Sequence, residues 1–170
     1  MHASPRAIPA TGALPGSVLL EPAPPIPLLV LDTNVVLDWI AFADPRVQPL
    51  VDAVERGVLR VATSAACLQE LRRALGYVQV RLDAAAQLLA FERYSAHARV
   101  FESCGQFDAA DLPQCEDQDD QKFLELAWQA RASHLLTRDK ALLKLARQIA
   151  QLGRFSVLAP DAFLRLDLHG

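Results

Sequence analysis

Short apolar runs alternate along the chain with longer segments of helical periodicity. The first run, Leu28 to Leu31, has no polar interruption, which is typical of a strand buried on both faces of a parallel sheet. Between such runs the apolar residues recur every three to four positions, as in amphipathic helices. The pattern predicts strands at 28–32, 58–62, 134–137 and 155–158, and helices at 34–42, 45–56, 65–75, 81–101, 119–132, 140–151 and from Pro160 onward.

The order of these elements indicates the fold class. Strands that alternate with helices predict right-handed crossovers and a parallel sheet covered on both sides, which is an α/β fold. In such sheets ligands bind beyond the carboxyl ends of the strands. Candidate functional residues are therefore sought where predicted strands end.

The amino-terminal segment differs from the rest. Residues 1–27 hold seven of the eleven prolines, with alanine and glycine filling much of the remainder. This composition predicts a flexible Pro-rich tail, and a misplaced start codon would leave the same kind of segment. Residues 28–170 are long enough for one domain.

Composition excludes several classes of protein. A hydrophobic fraction of 52% and a charged fraction of 22% are normal for a globular domain. No apolar run approaches the roughly 20 residues of a membrane span, and Val18 to Leu20 is too short for a signal peptide, so we expect a cytoplasmic protein without a membrane partner. Three cysteines without a CxxC pair predict neither a disulfide framework nor zinc.

The net charge of −3 restricts the choice of nucleic-acid partner. A protein that holds long duplex DNA by neutralising phosphates is usually basic. A nucleic-acid partner of this chain is therefore expected to be short or single-stranded and held locally.

Two aspartates stand where predicted strands end. Asp32 closes the first strand, and Asp139 follows the third. Because the carboxyl ends of parallel strands meet at one edge, both would line the same crevice. Each aspartate is equally compatible with a role as the N-cap of the helix that follows it.

Two further acids are predicted on helices. Asp120 falls on the apolar stripe of its helix, beside Phe123 and Leu124, where a lone carboxylate is costly and needs a partner or a cation. Glu70 falls at the edge of its helix's stripe, where a solvated glutamate is the better interpretation if this helix is taken alone. Its neighbours Arg72 and Arg73 are expected to point away.

Four carboxylates in one crevice would repel each other and raise the pKa of at least one of them. No lysine or histidine is expected at a position that neutralises them. A divalent cation would do so, and an all-oxygen ligand set favours Mg²⁺ or Mn²⁺ over zinc.

Four sequence pieces together resemble the PIN-domain family of metal-dependent nucleases over about residues 28–166. The pieces are Leu-Asp-Thr-Asn at 31–34, Gln-Glu-Leu at 69–71, Asp-Asp-Gln-Lys-Phe-Leu-Glu-Leu-Ala at 119–127 and Leu-Leu-Thr-Arg-Asp-Lys-Ala-Leu-Leu at 135–143. The resemblance implies a PIN-like three-layer α/β/α sandwich with a central, mostly parallel sheet. Residues 117–120 and the end of the last piece are similar to the branch assigned as toxin components of bacterial toxin–antitoxin pairs.

The same resemblance implies roles for individual residues. It implies that one or two Mg²⁺ or Mn²⁺ ions are held by four catalytic carboxylates, with Asp117 as a further ligand. Arg138 departs from the family, because many relatives carry glycine before the last aspartate. The implied catalytic residues are Asp32, Glu70, Asp120 and Asp139, and the implied supporting residues are Thr33, Asn34 and Thr137. Candidate contacts to the RNA backbone are Arg72, Arg138, Lys140 and Lys144, although ordinary solvated surface charge is the better interpretation of each one taken singly.

The expected function is hydrolysis of single-stranded or structured RNA by a metal-dependent endoribonuclease, as the toxin of a type II toxin–antitoxin pair. Its expected partners are RNA, an antitoxin protein and a second copy of the chain, bound through the apolar helices at 34–56. The alternatives are a housekeeping RNA-processing nuclease and a catalytically silent metal- or partner-binding module. A phosphoaspartate enzyme is disfavoured, because the haloacid-dehalogenase type requires an aspartate where this chain has Asn34.

Overall fold

The computed structural model describes residues 25–102 and 112–167, with the side chain of residue 167 excepted. Most of the predicted tail, residues 1–24, and Cys104 lie outside the described residues.

A five-stranded, fully parallel sheet lies at the centre of the described chain. The strand order is β3-β2-β1-β4-β5, so the first strand lies in the middle. The predicted parallel α/β fold is confirmed. The strands are β1 (Leu28–Leu31), β2 (Arg60–Thr63), β3 (Ala98–Val100), β4 (His134–Leu136) and β5 (Ser156–Leu158).

Helices cover both faces of this sheet. Leu29 and Leu31 of β1 face one hydrophobic cluster, and Val30 faces the other, which is why the run has no polar residue. The first cluster is formed with α1 (Thr33–Ile40), α2 (Gln48–Glu55), α3 (Ala65–Leu75), α4 (Ala84–His97) and α8 (Pro160–Asp167), and the second with α5 (Gln121–Gln129), α6 (Lys140–Lys144) and α7 (Ala146–Gln151).

Several helix ends follow from local sequence. The Ser64 side chain accepts a hydrogen bond from the Cys67 amide at 3.3 Å and so caps α3. Gly57, after α2, has a φ of +73°, a conformation that costs glycine little. Pro160 opens α8, where its missing N–H is not needed.

Two predictions about elements were wrong. The predicted helix 81–101 ends at His97, and the chain continues as strand β3. This strand is short, lies at the sheet edge and exposes Arg99 and Val100, so it lacks the buried apolar run that marks the other strands. The single helix predicted at 140–151 is two short helices that meet at Leu145.

The helices proposed from sequence as a dimer face turn inward. Their apolar side chains, including Val35, Trp39 and Leu50, belong to the core of the single chain. Exposed large apolar residues lie mainly elsewhere, at Tyr77 and Val78 after α3 and on α4. No helix of the described residues is long and apolar enough to cross a membrane.

Candidate active site

A cleft of about 330 Å³ lies at the carboxyl edge of β1 and β4, between α3 and α5. It brings together all five carboxylates that the sequence singled out. We call it the acidic cleft. Its lining residues are Asp32, Thr33, Asn34, Leu37, Glu70, Arg73, Ala74, Tyr77, Asp117, Asp119, Asp120, Lys122, Phe123 and Asp139.

Asp32 is fixed at the end of the central strand and is only 3% exposed. Its Oδ1 accepts the Val35 amide at 2.9 Å, which caps α1, and its Oδ2 accepts the Thr137 hydroxyl and the Arg138 amide. Burial raises the pKa of Asp32 above its ordinary value, and these hydrogen bonds oppose that rise. The capping role and the place in the cleft therefore belong to the same side chain.

Asp139 is positioned in a similar way from β4. Its Oδ1 accepts the amides of Ala141 at 2.6 Å and Leu142 at 3.2 Å, which caps α6. Its own amide donates to the Thr137 hydroxyl oxygen at 2.9 Å. Because Thr137 is fully buried and bonds to both aspartates, it ties Asp32 to Asp139.

Glu70 enters the cleft from α3 and is held by side chains alone. The Thr33 hydroxyl donates to its Oε1 at 2.5 Å, and Lys122 forms an ion pair with its Oε2. Both carboxylate oxygens of Glu70 therefore have a partner. Glu70 is therefore not a freely solvated glutamate in this structure.

Asp120 stands immediately before α5 and is half-buried, less than the inward stripe predicted. It occupies the N-cap position, yet its side chain makes no capping hydrogen bond. Burial, followed by the charges of Asp139, Asp117 and Glu70, raises the pKa of Asp120 to about 6. The mutual repulsion predicted from sequence is therefore concentrated on this carboxylate.

Three further residues predicted at the site, Asp117, Asn34 and Thr33, also line the cleft. Asp117 is exposed, and its Oδ1 accepts the Asp119 amide at 2.9 Å. Asn34 is exposed where it lines the cleft. Thr33 donates its hydroxyl hydrogen bond to Glu70.

The expectation that no lysine neutralises the carboxylates was wrong. Lys122, on the first turn of α5, lines the cleft and reaches Glu70. Arg73, expected to point away, lines the cleft as well. The helical wheel missed both residues because it locates Cα–Cβ directions, whereas long basic side chains extend several ångströms beyond them.

The four basic residues proposed as RNA contacts lie outside the lining of the cleft. The Arg72 guanidinium stacks on the Phe91 ring at 4.3 Å. Arg138 donates from Nε to Asp38 at 2.8 Å, so the residue that replaces the family's glycine forms an ion pair with α1. Lys144 pairs with Glu116 at 3.2 Å, and Lys140 is exposed.

The chemistry of the cleft fits a hard divalent cation, but its ligand set is not preassembled. Carboxylate oxygens are the ligands that Mg²⁺ and Mn²⁺ prefer, and burial together with the charges of neighbouring acids raises the pKa of Asp120. Within the described residues, however, no three acidic, histidine or cysteine side chains converge closely enough to hold a metal ion.

Together these features define a class: a parallel α/β domain with an acidic cleft at the carboxyl edge of its sheet. The family model described as PIN domain matches residues 28–141, which is most of the chain, and the chain belongs to that family. The family predicted from the four sequence pieces is thereby confirmed.

A solved structure gives the same fold. This is the crystal structure of VapBC2 from Rickettsia felis bound to a DNA fragment from its promoter. One chain of that structure is similar to this chain with a TM-score of 0.54. The sequences are 11% identical, and the match covers 76% of this chain and 96% of that one. At this identity the likeness concerns the fold alone. No curated protein matches the chain.

Proposed function

We propose that this chain is a divalent-metal-dependent endoribonuclease. The observation that carries the proposal is the gathering of Asp32, Glu70, Asp117, Asp120 and Asp139 in one cleft of a PIN domain. Bound there, Mg²⁺ or Mn²⁺ would supply a Lewis acid that activates water and stabilises the charge that develops on the phosphate.

Different residues of the chain would act as metal ligands and as contacts to the phosphate. Asp32 and Asp139 offer carboxylates fixed by backbone amides, which suits ligands that must not move. Burial and neighbouring acids raise the pKa of Asp120 to about 6, and a bound cation would stabilise its charged form as a ligand. Arg73 and Lys122 are the cations that line the cleft and can approach a phosphate of the substrate.

The experiment compares Asp120→Asn with wild type in cleavage of single-stranded RNA with Mn²⁺. We expect the variant to lose roughly 100-fold or more, because changes around metal ligands typically cost 10–100-fold. Asp52→Asn is the matched control, since Asp52 is an exposed acid on α2 outside the cleft lining. Equal activity of all three proteins would contradict the proposal.

We further propose that the nuclease is the toxin of a type II toxin–antitoxin pair. Its support is the resemblance of residues 117–120 and 139–143 to toxin components and the likeness to VapBC2, an assembly bound to promoter DNA. An antitoxin that covers the cleft would need cationic groups to match its acids, and could use the exposed Tyr77 at the cleft rim. Growth arrest on expression of wild type, but not of Asp120→Asn, would distinguish a toxin from a housekeeping nuclease.

A catalytically silent metal- or partner-binding module is the second candidate. The observation that favours it is that both Glu70 oxygens are engaged by Thr33 and Lys122. Mn²⁺ binding without cleavage of any RNA would support this candidate, whereas cleavage that depends on Asp120 would exclude it.

A further inference from the structure

Lys122 has a defined place among the acids of the cleft. Its ammonium contacts Glu70 Oε2 and also donates to the backbone oxygen of Asp119. It lies 4.9 Å from the centre of the Phe123 ring. The side chains of Lys122 and Glu70 are only 22% and 28% exposed, so this ion pair is better shielded from solvent than a surface pair.

The position of Lys122 bears directly on Glu70 as a candidate ligand. The Oε2 of Glu70 can turn toward a cation only if it leaves the ammonium. The same ammonium lowers the pKa of Asp120, against the effect of the surrounding acids. One positive charge thus acts on both helix-borne carboxylates.

We propose that Lys122 is the built-in counter-ion of the metal-free cleft and competes with the metal for Glu70. This inference rests on the proposed metal-dependent function. Without a bound metal, Lys122 would hold Glu70 and reduce the repulsion among the acids. A bound metal would replace the ammonium as the partner of Glu70.

The test measures Mn²⁺ affinity of the full chain by titration calorimetry and by the electron paramagnetic resonance signal of free Mn²⁺. Lys122→Met should bind Mn²⁺ roughly fivefold more tightly, because no ion pair has to be broken first. Lys122→Arg retains the charge and should stay within about twofold of wild type. Arg56→Met, which removes an exposed charge outside the cleft lining, is the matched control and should change affinity by less than about twofold.

A double variant separates competition for Glu70 from a general charge effect. In a Glu70→Gln background, Lys122→Met should alter Mn²⁺ affinity by less than about twofold, because the contested carboxylate is gone. A second readout needs no metal: in EDTA, Lys122→Met should lower the melting temperature of the chain, and Arg56→Met should not.

The outcomes distinguish this inference from the proposed function. If wild type binds Mn²⁺ and Lys122→Met binds it equally or more weakly, Lys122 is no competitor and the inference is overturned, while the nuclease proposal stands. If neither protein binds Mn²⁺, both proposals are overturned. Tighter binding by Lys122→Met that persists in the Glu70→Gln background would also overturn the competition for Glu70.

Discussion

The two halves of the acidic cleft are built differently. On the strand side, Asp32 and Asp139 are held by backbone amides and by the buried Thr137 hydroxyl. On the helix side, Glu70 is held by two side chains, and the Asp120 carboxylate makes no capping bond. We call the strand side the rigid half and the helix side the adjustable half, because backbone amides hold the first and side chains hold the second. In the proposed function, the rigid half would fix the position of a cation and the adjustable half would close around it.

The largest stability effect is expected on the rigid half, from Thr137→Val. The variant removes the hydroxyl that donates to Asp32 and leaves the Asp139 amide without its acceptor. Loss of partners at buried polar groups should cost about 2 kcal/mol, measured by urea unfolding. Thr137→Ser keeps the hydroxyl and should recover most of this loss; an unchanged stability of Thr137→Val would mean that the strand half does not depend on this contact.

An intermediate effect of opposite sign is expected on the adjustable half. In metal-free chain, a carboxylate whose folded pKa is about 6 destabilises the fold once it is charged. Stability should therefore fall as pH rises from the ordinary value of 3.8 through about 6. After allowance for solvent screening, Asp120→Asn should gain about 1 kcal/mol at neutral pH and almost nothing below about pH 4.

Unfolding titrations in EDTA at several pH values would check this. Asp52→Asn, an exposed acid outside the cleft, should follow the wild-type curve throughout. A gain of Asp120→Asn that is the same at every pH would show that repulsion among the acids is not its cause.

The smallest effect is expected from Thr33→Val, which removes one of the two contacts of Glu70. Because the contact is only partly buried and Lys122 still holds Glu70, the loss of stability should be about 0.5 kcal/mol. Thermal unfolding compared with Thr33→Ser would measure it. A loss as large as that of Thr137→Val would remove the distinction between the two halves.

The rigid half was predictable from sequence, and the adjustable half only in part. Asp32 and Asp139 follow apolar runs whose ends meet at one sheet edge, so their position depends on strand topology alone. Asp120 was placed by helical periodicity, which gives the correct face but more burial than the structure has. Glu70 was predicted as a site residue mainly from the family resemblance.

Neither the contacts of Lys122 nor the edge strand β3 could be predicted from the sequence, because both depend on tertiary structure. The Lys122–Glu70 pair joins α5 to α3, and the relative position of two helices is set by core packing rather than by either sequence segment. Strand β3 is short and has exposed residues, so its register against Thr63 comes from tertiary pairing. The periodicity of a single segment specifies neither the relative position of two helices nor the pairing of two strands.

Cleavage of single-stranded RNA by Asp32→Asn tests the central claim most directly. The variant keeps the shape of the side chain and its capping oxygen but removes the charge at the most rigid position of the cleft. With Mn²⁺ present, we predict a loss of roughly 100-fold or more at an unchanged circular dichroism spectrum. Cleavage by Asp32→Asn within about twofold of wild type would contradict the account.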